Sequence, residues 1–142
     1  MSRIAVGSDH AGFGLKSTLA DLLRKAGHEV VDFGAHDRTS VDYPDFGTAV
    51  AKSVVAGDVD LGVCVCGSGI GISIAANRVG GARAALVHDV TSARLSREHN
   101  DANIICFGER LIGVEVAIEA LEVFLATPFA GGRHQPRVDK LG

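Results

Sequence analysis

The chain has 142 residues, of which 46% are hydrophobic, and its formal net charge is only −3. This length suits a single domain with a buried core, and the small negative charge argues against nucleic acid as the main partner. The apolar run at residues 4–6 is too short for a secretion signal, and no stretch reaches the length of a membrane span. Because its three cysteines form no disulfide framework, we expect a cytoplasmic protein with reduced thiols.

Apolar strand-like runs alternate with helical periodicities along the chain. In the first predicted helix the apolar residues follow the i, i+3, i+4, i+7 spacing, and Gly27 is placed to end it. The predicted strands cover residues 4–8, 29–33, 61–65, 82–87 and 104–107. The predicted helices cover residues 13–26, 43–56 (or 45–56), a stretch ending near 77, residues 90–98 and residues 114–125. Five such alternations predict a parallel sheet with helices on both faces.

The predicted topology groups residues that are distant in sequence. Right-handed crossovers place all strand carboxyl ends on one rim, so Asp9, His10, Cys66 and Arg110 should share it. His99 precedes the last strand and should lie at the opposite rim, far from Cys66 within one subunit. A catalytic role for His99 therefore requires that its helix end early or that a second subunit supply it.

The stretch from Cys66 to Gly71 is the strongest candidate for a catalytic or binding role. A buried strand ends there in a cysteine, followed by a glycine-rich loop and an apolar helix. Loop N–H groups and a helix N-terminus favour an anion, and a thiol in that field is favoured as thiolate, hence as base or nucleophile. Alternatively, the glycines only form a tight turn and the cysteine is a small core residue. Nucleotide binding is disfavoured, because the glycines follow the third strand and no G-K-[ST] sequence is present.

Other polar residues admit both structural and functional interpretations. Asp9 could cap the first helix, serve as a carboxylate on the rim, or do both. Cys64 is predicted to lie in the core, and its C-x-C spacing to Cys66 argues against a metal site.

Arginines indicate the ligand class, because their planar fork binds phosphate in a bidentate manner. Arg110 belongs to the predicted rim, whereas Arg133 and Arg137 lie in a basic tail that we expect to be flexible. That tail is either a solvated end or an arm that wraps onto a partner. The arginines are either solvated charge or, together with the glycine-rich loop, a site for a small phosphorylated ligand.

Five blocks in fixed order carry a family resemblance across nearly the whole chain. They are Gly7-Ser8-Asp9-His10-Ala11-Gly12-Phe13, Asp42-Tyr43-Pro44-Asp45, Cys66-Gly67-Ser68-Gly69-Ile70-Gly71, Ser96-Arg97-Glu98-His99-Asn100-Asp101-Ala102-Asn103 and Gly131-Gly132-Arg133-His134. Together they resemble the ribose-5-phosphate isomerase B family and its relatives, the galactose-6-phosphate isomerase subunits. The resemblance implies a Rossmann-like three-layer α/β/α sandwich with a five-stranded parallel sheet. It implies one domain, with a core at 1–127 and a basic tail at 128–142 that reaches a partner subunit.

The resemblance also implies an activity, without metal or cofactor. The enzyme would interconvert ribose 5-phosphate and ribulose 5-phosphate of the non-oxidative pentose phosphate pathway through an enediolate. It would work as a homodimer or dimer of dimers, with the active site between subunits. Close relatives leave allose or galactose 6-phosphates and tetrulose 4-phosphates open, and a non-catalytic sugar-phosphate-binding module is the alternative from another class.

The resemblance assigns roles to individual residues. The implied catalytic residues are Cys66 as base, Ser68 on the oxyanion, Asp9, and His99 from the partner for ring opening. Ser68 stands where many members carry threonine, and the hydroxyl should preserve the role. The implied substrate-binding residues are Asp9, His10, Tyr43, Gly67, Ser68, Gly69, Ile70, Gly71, Asn100, Arg110, Arg133 and Arg137.

Overall fold

The structure, a computed structural model, describes all residues from Met1 to Gly142 and contains one five-stranded parallel sheet. The strands are β1 (Arg3–Ser8), β2 (Glu29–Asp32), β3 (Leu61–Cys66), β4 (Ala84–Leu86) and β5 (Ile104–Gly108), in the order β2-β1-β3-β5-β4. The helices are α1 (Phe13–Lys25), α2 (Tyr43–Val55), α3 (Ile70–Asn77), α4 (Val90–Asn100), α5 (Val114–Ala126) and α6 (Gln135–Asp139), with a 3₁₀ turn at Gly132–His134. None of the helices combines the length and apolar character needed to cross a bilayer.

Two apolar clusters fill the spaces on the two faces of the sheet. Side chains alternate along each strand, so Val63 and Val65 pack on one face while Cys64 and Cys66 pack on the other. Helices α1, α4 and α5 contribute to the first cluster, and α2 and α3 contribute to the second. The predicted three-layer sandwich is confirmed, and Cys64 lies in the core as predicted.

The structure corrects the predicted extent of two elements. Helix α4 continues to Asn100, so His99 lies in its last turn instead of in a polar turn. Strand β4 covers only Ala84–Leu86, half the predicted length. At the β4 edge, the Asn77 side chain accepts from the N–H of Ala84 and donates to its carbonyl. A side chain thus occupies the hydrogen-bonding groups that a further strand would need.

The tail is folded, which corrects the expectation of a flexible end. The N–H of Ala130 donates to the Glu98 carbonyl of α4, and the short helix α6 buries Val138. The ring of His134 stacks on that of His99. One buried valine in a five-residue helix gives no apolar periodicity, so the sequence pattern could not reveal this element.

A buried lysine ties α1 to the end of β2. Lys16 is 1% exposed, and its Nζ donates to both carboxylate oxygens of Asp32 at 3.0 and 2.9 Å and to the Ala35 carbonyl at 2.7 Å. Beyond β2, the N–H of Ser8 donates to the Gly34 carbonyl, and the N–H of Ala35 donates to the Ser8 carbonyl. The loop at 34–42 is thereby held beside the end of β1, where Asp9 and His10 follow.

Candidate active site

The chain reverses its direction of strand addition between β1 and β3, the position where open α/β sheets bind ligands. A cleft of about 590 Å³ lies at the carboxyl ends of these strands. Predicted site residues that line it are Asp9, His10, Tyr43, Cys66, Gly67, Ser68, Ile70, Gly71 and Arg110. Ala11, Ile74 and Leu111 also line the cleft and were not predicted, and Ile74 and Leu111 are largely exposed there.

Cys66 ends β3 and is 4% exposed at the floor of this cleft. The N–H of Gly69 donates to its Sγ at 3.1 Å, which holds the sulfur at the N-terminal end of α3. Gly69 has a φ of +76°, a left-handed conformation that a side chain would strain. The tight turn therefore places the only cysteine of the cleft where a helix N-terminus favours negative charge.

The loop amides are divided between internal bonds and open positions. The N–H of Ile70 donates to Ser68 Oγ at 3.2 Å, and that of Gly69 is bound to the sulfur. This arrangement leaves the N–H groups of Gly67, Ser68 and Gly71 without a partner in the chain. Of the loop amides expected as oxyanion donors, these three therefore stay available, together with the Ser68 hydroxyl, whereas those of Gly69 and Ile70 are occupied.

Two other glycines let neighbouring segments approach the strand ends. A Cβ on Gly108 would collide with the backbone of Ser68, and one on Gly12 would collide with the carbonyl of Val65. The loop after β3 therefore packs directly on β5, and the start of α1 packs directly on β3.

Asp9 and His10 are fixed by backbone bonds. Asp9 is 6% exposed and faces the cleft, and its Oδ1 accepts from the N–H of Gly12 at 3.0 Å. Gly12 is the N-cap residue of α1 and the helix has no side-chain cap, so Asp9 holds the turn that leads into α1 and is not its cap. His10 Nδ1 accepts from the N–H of Val41 at 3.1 Å.

Glu109, which sequence reasoning missed, accepts from the N–H of Leu15 through Oε1 at 2.6 Å. Its place beside Arg110 after β5 was the available signal.

Tyr43 forms one wall of the cleft from the start of α2. A Cβ on Gly71 would lie 2.5 Å from the Tyr43 ring, so the ring packs closely on this glycine. Gly71 consequently sets how near Tyr43 comes to the loop.

Gly69 lies in the turn behind the first cleft, and the other remaining predicted site residues lie in a second cleft of about 350 Å³. It is lined by His99, Asn100, Arg133, His134, Arg137, Val138 and Leu141, none of which lines the first cleft. The rings of His99 and His134 stack with centroids 4.4 Å apart and planes inclined by 15°. Burial, and then the neighbouring positive charges of His99, Arg133 and Arg137, lower the pKa of His134. These side chains form an electropositive cleft, and His134 adds to it a ring that was not predicted as a site residue.

The two other cysteines are unsuited to acid–base chemistry. Cys64 and Cys106 face each other across β3 and β5 and are fully buried. A hydrogen bond with Cys64 and burial raise the pKa of the Cys106 thiol well above its ordinary value. Of the three, only Cys66 lines the cleft.

Comparison with known proteins shows similarity along almost the whole chain. The sequence profile described as Ribose/Galactose Isomerase matches residues 4–141. Ribose-5-phosphate isomerase B of Escherichia coli is 44% identical over 141 residues, which cover 99% of this chain and 95% of that protein. Galactose-6-phosphate isomerase subunit LacB of Clostridium acetobutylicum is 39% identical over 137 residues, covering 96% of this chain and 79% of that subunit. The solved ribose-5-phosphate isomerase B of Clostridium thermocellum superimposes with a TM-score of 0.98 at 53% identity, covering 99% of this chain and 95% of that one.

Proposed function

Because this chain belongs to the ribose/galactose isomerase family, we propose that it interconverts ribose 5-phosphate and ribulose 5-phosphate with Cys66 as the base. It is a sugar phosphate isomerase, as its relatives are. The observation that carries the proposal is the sulfur of Cys66 at the cleft floor, bound by the N–H of Gly69 at the start of α3. The relatives named for ribose 5-phosphate cover nearly all of the chain and support the five-carbon substrate.

The proposed chemistry moves one proton between carbons. The Cys66 thiolate removes the C2 proton of the open-chain aldose and returns it to C1, while one proton passes from O2 to O1. Negative charge develops on oxygen in the enediolate between these steps. The N–H groups of Gly67, Ser68 and Gly71 and the Ser68 hydroxyl line the cleft and would stabilise it. Asp9 binds sugar hydroxyls, and Tyr43 covers the sugar; both line the same cleft as the loop.

We propose that the second cleft completes the first across a homodimer, alone or within a dimer of dimers. His99 of the partner would donate a proton to the ring oxygen, and Asn100 would contact the sugar. Arg133 and Arg137 of the partner would join His10 and Arg110 on the phosphate. Ile70 and Ile74 on α3 are 51% and 56% exposed beside the first cleft, which gives this rim an apolar surface for association.

Complementation tests the shared site directly. Cys66→Ala and His99→Asn should each be inactive, and co-refolding equal amounts should restore about a quarter of normal activity, because half the dimers are mixed and each holds one intact site. Mixing two Cys66→Ala preparations is the control. Absence of recovery in mixed dimers, verified by a tag on one chain, would contradict the shared site.

The tail arginines provide a second test. Arg137→Ala should raise KM for ribose 5-phosphate about 10- to 100-fold, since a charged hydrogen bond contributes about 1.5–3 kcal/mol. Lys140→Ala removes an exposed charge of the same tail outside the second cleft and should leave KM unchanged. Equal KM values for the two variants would contradict a role of the tail in binding the substrate.

The preferred sugar phosphate substrate is tested separately from the reaction type. The LacB relative favours a six-carbon phosphate as the second candidate substrate. Comparing kcat/KM for four-, five- and six-carbon sugar phosphates should show a maximum at ribose 5-phosphate. A non-catalytic binding module would instead bind the sugar without exchanging its C2 proton in deuterated water.

A further inference from the structure

The loop at 34–42 holds His10 at two points. The N–H of Val41 donates to the ring at Nδ1, 3.1 Å away, and Arg38 Nη1 donates to the His10 carbonyl at 3.2 Å. Neither contact is required by the isomerisation scheme above. Both come from a loop that begins 24 residues beyond His10, so they are built by the fold and not by local sequence.

This loop is itself anchored. At its start, the Gly34 carbonyl and the Ala35 N–H bond to the backbone of Ser8. In its middle, Asp37 Oδ1 accepts from the N–H of Thr39 at 2.8 Å, which also lowers the pKa of Asp37. Its Arg38 guanidinium lies 3.6 Å from Glu109. The Val41 N–H therefore meets His10 from a fixed direction.

The bond to Nδ1 determines where the ring carries its proton. A neutral imidazole has one donor and one acceptor nitrogen, and the partner of one nitrogen sets the state of the other. With Nδ1 accepting, the proton lies on Nε2, the nitrogen left free for a ligand. We propose that the loop at 34–42, through Val41, fixes His10 as the neutral Nε2–H tautomer, which gives the ligand a hydrogen-bond donor without a charge.

The consequence for binding rests on the proposed function, in which His10 contacts the phosphate. The negative charge of the phosphate is then balanced by Arg110 and the partner's tail arginines, whereas His10 contributes an uncharged hydrogen bond that orients the phosphate. The opposite tautomer would turn a lone pair toward an anionic oxygen. Fixing the tautomer before binding removes that misaligned state, so Val41 acts as a positioning residue through His10.

Nuclear magnetic resonance of the substrate-free protein tests the tautomer itself. In protein labelled with nitrogen-15 histidine, long-range proton–nitrogen correlations at mildly alkaline pH should show His10 protonated at Nε2. The His10→Gln spectrum, which lacks that signal, identifies it. A ring protonated at Nδ1, or an equal mixture of tautomers, would overturn the proposal even if the protein is an active isomerase.

A matched pair of variants tests the role of the loop. Val41→Pro removes the N–H, whereas Val41→Ala keeps it and shortens only the side chain. Val41→Pro should give a mixture of tautomers and a several-fold higher KM at unchanged kcat, and Val41→Ala should resemble the unmodified protein in both. Equal spectra for the two folded variants would overturn the proposal.

Two substitutions at His10 provide an independent measurement that does not depend on the folding of the loop variant. The glutamine amide reaches the position of Nε2, whereas the asparagine amide reaches only that of Nδ1. His10→Gln should therefore keep a KM several-fold lower than His10→Asn. The reverse order of KM values would contradict Nε2 as the ligand-binding nitrogen. The nuclear magnetic resonance measurement of the tautomer remains valid even if no sugar phosphate is isomerised.

Discussion

Replacing Cys66 by alanine should lower kcat for ribose 5-phosphate by about 10²–10⁴-fold, the usual contribution of a positioned general acid–base group. The substitution deletes only Sγ, which is buried at the end of β3 and bound by the N–H of Gly69. Loss of the base leaves the loop amides and the phosphate contacts in place, so KM should change little. Initial rates of ketose formation and C2 proton exchange in deuterated water measure the effect.

Cys64 provides the matched control. It lies two residues earlier on the same strand and the same face, and it is fully buried outside the cleft. Cys64→Ala deletes the same atom and should retain kcat while costing some stability through a small cavity. Near-normal exchange in Cys66→Ala, or equal losses in both variants, would contradict Cys66 as the base.

Removing the carboxylate partner of Lys16 should have the largest effect on stability. In Asp32→Ala the ammonium group, 1% exposed, keeps only the Ala35 carbonyl. Leaving one partner of a buried ion pair uncompensated costs about 3–5 kcal/mol, and the 22% exposure of the Asp32 side chain places this case at about 3 kcal/mol. Urea denaturation gives the free energy of unfolding by linear extrapolation.

A surface ion pair calibrates that measurement. Asp21 pairs with Arg24 at 3.2 Å, but the side chains are 68% and 50% exposed, so Asp21→Ala should cost less than about 1 kcal/mol. The double variant Lys16→Met, Asp32→Ala should recover part of the loss, because no buried charge is left. An Asp32→Ala loss as small as that of Asp21→Ala would show that water reaches Lys16.

The amino-acid sequence by itself determined the architecture. Alternating apolar strands and amphipathic helices require a parallel sheet covered on both faces, since each apolar surface must be buried. It also placed Asp9, Cys66 and Arg110 on one rim, because right-handed connections leave no other arrangement. It separated His99 from Cys66 within one chain, and the two clefts agree with that separation.

Only the tertiary structure decided the contacts between segments distant in sequence. The burial of Lys16, the bond from Val41 to His10 and the packing of the tail on α4 each depend on a partner from another element. Hydrophobic periodicity indicates which face of an element is apolar. It carries no information about which polar groups of distant segments contact each other in the folded chain. The free edge of β4 is likewise occupied by the Asn77 side chain, a contact that the strand's own apolar residues could not reveal.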